Sequence, residues 1–237
     1  MIQVGQLFLL PAPLGDDSVT KQLPEYNKHI INEINYYIVE NTRTARRYLK
    51  QLNPELSLDN LRFAELNEHT RDHELMDIFQ PILNGENAGL ISEAGLPCVA
   101  DPGNSLVFMA HQLGIRVVPL VGPSSVMLAL MASGFNGQSF VFHGYLPIDK
   151  RQREQKLKDL ERNAWKNDQT QIFIETPYRN MQMLESITHA CRADSRLCIA
   201  ANLMSANEMI LNKTVKDWKS LKCNFHKQPA IFLIYKL

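Results

Sequence analysis

Long apolar runs, a secretory signal and an excess of charge of either sign are all missing from this sequence of 237 residues. The most apolar stretches, Val126 to Ala132 and Ala230 to Tyr235, fall far short of the roughly 18 residues that a membrane-spanning helix needs. The first residues lack the basic segment and apolar stretch of a signal peptide. We therefore expect a cytoplasmic protein with no membrane partner.

Clustered cysteines and the common nucleotide-binding motifs are also absent. The four cysteines form no CxxC pair, which favours reduced thiols over disulfides or zinc ligands and predicts no metal site. Neither GxGxxG nor GxxxxGK[ST] occurs, so a Rossmann dinucleotide site and a P-loop hydrolase both lose support. With 25 basic and 25 acidic residues, the total charge indicates no strongly charged partner.

What the sequence does contain is a regular alternation of short apolar runs and longer amphipathic segments, which predicts an α/β fold. We expect two domains, 1–120 and 121–237. For the first we predict a largely parallel sheet with strands Gln6–Leu10, Tyr36–Glu40, Leu61–Leu66, Ala88–Ser92 and Arg116–Leu120. Its predicted helices are Thr42–Leu52 with a Thr cap, His69–Leu83 and Ser105–Leu113.

The second half predicts a mixed sheet. Its last strands have little helical sequence between them, which favours antiparallel pairing. The predicted strands are Phe140–His143, Gln171–Glu175, Leu197–Leu203, Met209–Lys213 and Ile231–Tyr235. The predicted helices are Ser124–Ala132, Gln152–Ala164 and Arg179–Cys191.

Glycine and proline cluster in three loops of the first half: Pro11 to Gly15, Ser92 to Pro97 continuing to Gly103, and Val121 to Ser125. Each follows a predicted parallel strand, and open α/β sheets bind ligands at the carboxyl ends of such strands. We expect the loops to converge, with Ser124 and Ser125 capping a helix whose amides favour an anionic group. Alternatively, each loop only turns the chain.

Two basic groups interrupt the otherwise neutral surface. Arg43, Arg46, Arg47 and Lys50 have helical spacing and form one basic stripe. The second group contains Lys150, Arg151, Arg153, Lys156 and Lys158, interrupted by acidic residues. Such clusters can bind phosphates, and a solvated helix face is the alternative.

Several motifs together resemble the tetrapyrrole methylase superfamily, and within it the bacterial small-subunit ribosomal RNA ribose 2′-O-methyltransferases. The most specific runs from Gly89 to Pro97 and continues with Asp101-Pro102-Gly103. The supporting motifs are Leu10 to Gly15, Glu40 to Arg43, Gly114 to Pro123, Gly144 to Pro147 and Glu175 to Arg179.

This resemblance implies a two-domain tetrapyrrole-methylase-like fold, a homodimer, and S-adenosylmethionine in a cleft between the domains, held largely by main-chain groups. It implies methyl transfer to ribosomal RNA, free or in the small ribosomal subunit. The cofactor-binding residues it indicates are Pro13, Leu14, Gly15, Ser92, Glu93, Ala94, Gly95, Ser124, Ser125, Pro229 and Ala230.

The sequence departs from the family pattern at three places. Asn41 replaces an Asp, Ala200 to Ser205 lacks the family's Arg, Glu and Lys, and Lys227-Gln228-Pro229 replaces Lys-Gly-Glu. These changes affect the acceptor more than the cofactor. They leave open a tetrapyrrole or other small acceptor, and a cofactor-binding protein that has lost catalysis.

A hydroxyl acceptor benefits from a general base, and three carboxylates at predicted strand ends are available: Glu40, Glu93 and Glu175. Each could instead cap a loop or pair with Arg43 or Arg179. The candidate substrate-binding residues are Arg43, Arg47, Tyr145, Lys150, Arg151 and Arg153. His143 could relay a proton, although a packed ring with a satisfied nitrogen is favoured.

Overall fold

The structure of the protein is a computed structural model, and it describes residues 4–15, 19–66 and 72–236. The chain divides into two compact units, one ending at Ser124 and the other starting at Ser125. Each unit contains one five-stranded sheet.

The first unit is built on a parallel sheet. Its strands are β1 (Gln6–Leu10), β2 (Tyr36–Val39), β3 (Arg62–Glu65), β4 (Ala88–Ile91) and β5 (Arg116–Pro119). They lie in the order β3-β2-β4-β1-β5, and each adjacent pair is parallel. This arrangement confirms the parallel sheet expected from the alternating pattern, and the strand bounds agree to within a residue or two.

Helices cover both faces of this sheet. They are α1 (Val19–Gln22), α2 (Glu25–Ile31), α3 (Thr42–Leu52), α4 (Asp72–Leu83) and α5 (Asn104–Gln112). One buried apolar cluster contains Leu49 and Tyr37, and the other contains Phe79 and Ile38, so the sheet lies between two cores. The first residues of the predicted helix His69–Leu83 lie outside the described residues.

Two buried tyrosines join separate segments of this unit: Tyr37 joins β2 to the end of α2, and Tyr48 joins α3 to the loop after β1. The Tyr37 hydroxyl donates to the Ile31 carbonyl at 2.9 Å, and the Tyr48 hydroxyl donates to the Pro11 carbonyl at 2.9 Å. Burial raises the pKa of both phenols above the usual range. Both hydroxyls therefore remain neutral donors.

The second unit contains α6 (Ser125–Ser133), β6 (Phe140–Tyr145), α7 (Lys150–Asn167), β7 (Thr170–Glu175), α8 (Asn180–Ala190), β8 (Arg196–Ala201), β9 (Met209–Thr214), α9 (Val215–Ser220) and β10 (Ala230–Tyr235). A 3-10 turn, Pro177–Arg179, precedes α8. The strand order is β6-β7-β10-β8-β9. Within this second sheet the β6–β7 pair is parallel and the other three pairs are antiparallel, which confirms the predicted mixed sheet.

A single apolar cluster forms the core of the second unit. Phe173 and Phe232 stack on neighbouring strands with their ring centroids 5.5 Å apart, and Trp218 of α9 is buried with its indole donating to the Leu197 carbonyl. Cys191 and Cys198 are buried free thiols, and burial raises the pKa of each to about 12.

Within the described residues, no helix has the length and apolar character needed to cross a membrane.

Candidate active site

Three loops of the first unit meet at the carboxyl end of its sheet. Strands β4, β1 and β5 are neighbours, so the loops that follow them lie side by side. Ala12 and Gly95 exchange backbone hydrogen bonds of 2.9 and 3.0 Å, and the Ser92 hydroxyl donates to the Gly95 carbonyl at 2.7 Å. The expected convergence of the loops is therefore present, and main-chain groups line the junction.

Two glycines allow this close packing. A Cβ on Gly122 would lie 2.2 Å from the Cβ of Pro11, so no side chain fits there. Gly95 has φ +72°, a left-handed conformation that favours glycine, and a Cβ there would lie 3.4 Å from the Pro123 carbonyl oxygen. Glycine at both positions therefore leaves room for the neighbouring loop to pack closely.

A cavity of about 240 Å³ opens between two of these loops and α3. Its wall combines loop residues that follow β1 and β4 with side chains from the first turns of the helix. The lining residues are Ala12, Pro13, Gly15, Thr44, Ala45, Arg47, Tyr48, Gln51, Ile91, Ser92, Glu93 and Ala94. Five of the predicted cofactor residues, Pro13, Gly15, Ser92, Glu93 and Ala94, are in this wall.

Glu93 of the cavity wall and Glu40 both lie close enough to Asp101 to act on its charge. The Thr44 hydroxyl donates to Glu93 Oε1 at 2.6 Å, which fixes the carboxylate against the start of α3. Burial, reinforced by the charges of Glu40 and Glu93, raises the pKa of Asp101 to about 7. Asp101 lies in the Asp-Pro-Gly motif but was missed as a candidate, because its contact with the other carboxylates requires the folded loop.

Asn41 positions the start of α3. Its Oδ1 accepts hydrogen bonds from the backbone N–H groups of Arg43 at 2.9 Å and Thr44 at 3.3 Å, so the cap is Asn41 rather than the predicted Thr. Thr42 is the first helical residue, and its hydroxyl bonds to Glu65 instead. An amide oxygen caps a helix as well as a carboxylate does, so the departure at Asn41 preserves the local structure.

The chain is similar to curated bacterial proteins along nearly all of its length. A Vibrio cholerae protein named ribosomal RNA small subunit methyltransferase I is 28% identical over 97% of this chain and 76% of its own length. The Pseudomonas aeruginosa protein of that name is 29% identical, with 98% and 79% covered. The Escherichia coli O157:H7 protein is 31% identical, with 83% and 64% covered. The chain is a homologue of these methyltransferases. No family model matches it.

Solved structures show the same fold at lower sequence identity. The methyltransferase CobJ superposes with a TM-score of 0.63 at 14% identity, covering 98% of this chain and 100% of that one. Cobalt precorrin-4 methyltransferase, CbiF, gives 0.63 at 14% identity, covering 97% and 94%. The chain therefore has the fold of these two methyltransferases. Its relatives are named methyltransferases, and the methyl donor that the resemblance implies is S-adenosylmethionine.

The residues of the loops fit this cofactor. S-adenosylmethionine carries a sulfonium and an ammonium group, and the Glu93 carboxylate supplies negative charge in the cavity wall. The loops after β1 and β4 bring main-chain groups of Pro13, Ser92 and Ala94 to the cavity wall, where they can offer polar contacts. Among the residues that the structure describes, no group of His, Cys, Asp or Glu could hold a metal ion.

The two basic groups differ in the structure. Arg43, Arg46, Arg47 and Lys50 are all exposed on α3, as the stripe predicts, with the Arg46 guanidinium 5.2 Å from the centre of the Phe63 ring. Arg153 is buried instead, with only 5% of its surface exposed. Its guanidinium donates to Ser186 Oγ at 3.0 Å and to the Ile148 carbonyl at 2.7 Å. Arg153 thus joins α7 to α8 and the preceding loop, which corrects its prediction as a substrate-binding residue.

The remaining members of the second group are on the surface of α7. Arg151 is exposed, and Lys150 forms an exposed ion pair of 3.0 Å with Glu185. Tyr145, at the end of β6, is 57% exposed. The Nε2 of His143 lies 2.9 Å from Gln171 Oε1, and burial lowers the pKa of the ring, which favours packing over proton relay.

Glu175 has a different environment from Glu93. It is buried at the end of β7, and its Oε1 accepts from the Arg179 guanidinium at 2.6 and 3.0 Å. Its Oε2 is buried with no hydrogen-bond partner. The predicted alternative for this residue, pairing with Arg179, is thus present.

The segment expected to contribute Pro229 and Ala230 lies at the start of β10, where Ala230 pairs with Glu175 on one side and Ala201 on the other. The Asn202 N–H donates to the Pro229 carbonyl at 2.9 Å. The loop in which the family's Arg, Glu and Lys are missing therefore starts beside Pro229.

Proposed function

We propose that this chain transfers a methyl group from S-adenosylmethionine to small-subunit ribosomal RNA, and that the acceptor is a ribose 2′-hydroxyl. One structural observation carries the RNA assignment: Arg47 belongs both to the exposed basic stripe of α3 and to the wall of the cavity. A surface suited to phosphates is thus continuous with the cavity. The names of the relatives support ribosomal RNA, and the resemblance supports the ribose hydroxyl.

The cofactor residues proposed in the first unit are Pro13, Leu14, Gly15, Ser92 to Gly95 and Ser124. Ser125, Pro229 and Ala230 of the second unit remain predictions from the resemblance. When bound, the cofactor supplies an electrophilic methyl group on a sulfonium. The chain's task is to orient the acceptor for in-line displacement and to exclude water.

Glu93 is the best-placed of the three candidate bases. It lines the cavity, and the Thr44 hydroxyl holds its carboxylate at a fixed position. Glu40 is not among the lining residues, and Glu175 is paired with Arg179. We therefore assign to Glu93 the removal of the proton from the ribose hydroxyl.

A labelled-methyl assay tests the acceptor. Small ribosomal subunits from cells lacking this activity are incubated with the protein and methyl-labelled S-adenosylmethionine, and the RNA is digested to nucleosides. A labelled 2′-O-methylnucleoside is expected. Label on a base would overturn the ribose assignment, and label only on a small tetrapyrrole acceptor would overturn the RNA assignment.

The alternative of lost catalysis has its own test. Titration calorimetry measures binding of S-adenosylmethionine and S-adenosylhomocysteine, and mass spectrometry detects either compound retained by the purified protein. The methyltransferase proposal requires both binding and transfer. Binding without transfer to any candidate acceptor would instead favour a cofactor-binding protein.

We also propose a homodimer in the cytoplasm, where ribosomal subunits are assembled. Light scattering coupled to size exclusion should give twice the 27.1 kDa mass of one chain. A monomer mass across the concentration range would contradict the dimer.

A further inference from the structure

The second unit presents an exposed aromatic residue beside basic residues, in segments that adjoin the Glu175–Arg179 pair and Pro229. Tyr178, in the 3-10 turn, is 69% exposed. The Nζ of Lys227 lies 5.7 Å from the centre of its ring, and the His226 ring meets it edge-on with the centroids 6.4 Å apart. We refer to Tyr178, His226 and Lys227 as the Tyr178 platform.

Hydrogen bonds hold together the two backbone segments that carry the Tyr178 platform. The Lys227 N–H donates to the Pro177 carbonyl at 3.0 Å, and the side-chain amide of Asn180 donates to the Gln228 carbonyl at 2.6 Å. Asn180 is fully buried, and so is Phe225 beside the loop. These contacts join the turn that carries Tyr178 to the loop that carries the two basic residues.

The backbone at Lys227 supports a positional role for this residue. Its φ is +61°, a left-handed conformation that residues with a Cβ rarely adopt. Such a conformation persists only where the surrounding contacts hold it, as the bond to Pro177 does here. The same backbone brings the Lys227 ammonium to the Tyr178 ring.

The two segments that form the platform expose basic side chains and no carboxylate. From Lys219 to the end of the sequence there is no Asp or Glu, and Lys222, His226 and Lys227 are all exposed. The only carboxylate of the Glu175–Arg179 segment is buried and already paired with Arg179. The surface therefore suits a polyanion more than an acidic or apolar peptide.

The geometry points to a binding site for single-stranded RNA, in which one nucleobase stacks on Tyr178 and the adjacent phosphate contacts Lys227. An exposed aromatic face bordered by cations is the arrangement by which proteins hold unpaired nucleotides without reading their sequence. This inference rests on the proposed function, because RNA is the acceptor proposed there. It adds a second contact that anchors the strand without taking part in methyl transfer.

The test is fluorescence anisotropy with a labelled single-stranded RNA of mixed sequence. Tyr178→Ala should weaken binding about tenfold, since stacking contributes roughly 1–3 kcal/mol per base. Tyr178→Phe keeps the ring and should bind like the wild type. Lys227→Gln should bind severalfold more weakly and reduce the dependence of affinity on salt by roughly one phosphate contact.

Tyr26→Ala is the matched control, because Tyr26 is 57% exposed and also lies beside a histidine, His29. It should leave RNA affinity unchanged. S-adenosylhomocysteine affinity, measured by calorimetry, should be unchanged in all four variants, which also shows that they are folded.

Four results would overturn the platform. The first is equal RNA affinity in Tyr178→Ala and the wild type, and the second is that Tyr178→Phe weakens RNA binding as much as Tyr178→Ala does. The third is a loss of S-adenosylhomocysteine affinity in Tyr178→Ala. The fourth is that Tyr178→Ala weakens binding to assembled ribosomal subunits but not to free RNA, which would indicate that Tyr178 contacts a ribosomal protein. If the wild type methylates ribosomal RNA and Tyr178→Ala behaves like it, only the platform fails. If the wild type neither binds nor methylates RNA, the proposed function fails with it.

Discussion

Gly95 lies where the loop after β4 crosses the loop after β1, and its left-handed backbone leaves no low-energy option for a larger residue. Gly95→Val should therefore distort both loops and reduce S-adenosylhomocysteine affinity at least tenfold by calorimetry. Gly137→Val is the control, because nothing lies within 4 Å of a Cβ added there. Undiminished affinity in Gly95→Val would remove this loop from the cofactor site.

Glu93 and Glu65 form a natural pair for testing the proposed base. Each carboxylate accepts a threonine hydroxyl of the first turn of α3, Glu93 from Thr44 and Glu65 from Thr42. Only Glu93 lines the cavity. Glu93→Gln should lower the rate of methyl transfer about 10²-fold while Glu65→Gln leaves it near the wild-type value, because only the Glu93 carboxylate is in the cavity wall where the acceptor is proposed to bind. Equal rates in single-turnover assays of the two variants would contradict this assignment.

Asp101 should make stability depend on pH. Burial and nearby carboxylates raise its pKa from 3.8 to about 7, so between these values the folded protein binds a proton that the unfolded chain has released. Stability should therefore fall as pH rises from about 4 to 7 and level off above. Asp101→Asn should remove this part of the slope and stabilise the protein at pH 8 by about 1 kcal/mol, allowing for solvent screening.

Chemical denaturation between pH 4 and 8 measures this effect. Asp59→Asn serves as the control, since Asp59 is an exposed carboxylate in the same unit. A slope that is the same in Asp101→Asn and the wild type would show that Asp101 ionises normally.

Helix α3 carries the basic stripe, and its role can be tested as an element. Arg43→Glu with Arg47→Glu should weaken binding of ribosomal RNA at least tenfold and flatten its salt dependence. Arg46 is left intact because its guanidinium packs on Phe63. The control is Lys28→Glu with Arg116→Glu, which makes the same charge change on α2 and at the amino end of β5. Equal RNA affinity in the two double variants, measured by filter binding, would argue against the stripe.

Elements with a clear apolar pattern were predictable, and short polar ones were not. β1 and α3 were predicted at their observed bounds, β1 because it is a short continuous apolar run and α3 because its apolar positions repeat at helical spacing. Helices α1, α2 and α9 were missed, since each is seven residues or shorter and offers too few turns to show a period. The burial of Arg153 could not be foreseen either, because its partners Ser186 and Ile148 belong to other segments.

At the scale of the whole molecule, the sequence was sufficient for the α/β class and for both kinds of sheet. The convergence of three loops followed from strand polarity, because glycine and proline marked the loops and parallel strands end at one edge. The acidic surroundings of Asp101 and the Tyr178 platform were not predictable, since each joins residues from separate segments. The order of the strands determines which of these segments become neighbours, and no short stretch of the sequence predicts that order.

Cofactor binding should also be visible in the stability of the whole molecule. A ligand that binds only the folded state at 100 times its dissociation constant adds about 2.7 kcal/mol to the free energy of unfolding. S-adenosylhomocysteine should therefore raise the thermal midpoint by several degrees, and adenosine alone should raise it less. No shift with S-adenosylhomocysteine at saturating concentration would contradict the proposed site.

The amide that begins α3 has a consequence for acidic conditions. In acidic solution a carboxylate at the position of Asn41 would become protonated and lose its charge. Its hydrogen bonds from the two backbone N–H groups would then be weaker. The Asn41 oxygen has no proton to gain over that range. The N-cap of the helix that carries Arg43 and Arg47 therefore keeps its hydrogen bonds at acidic pH.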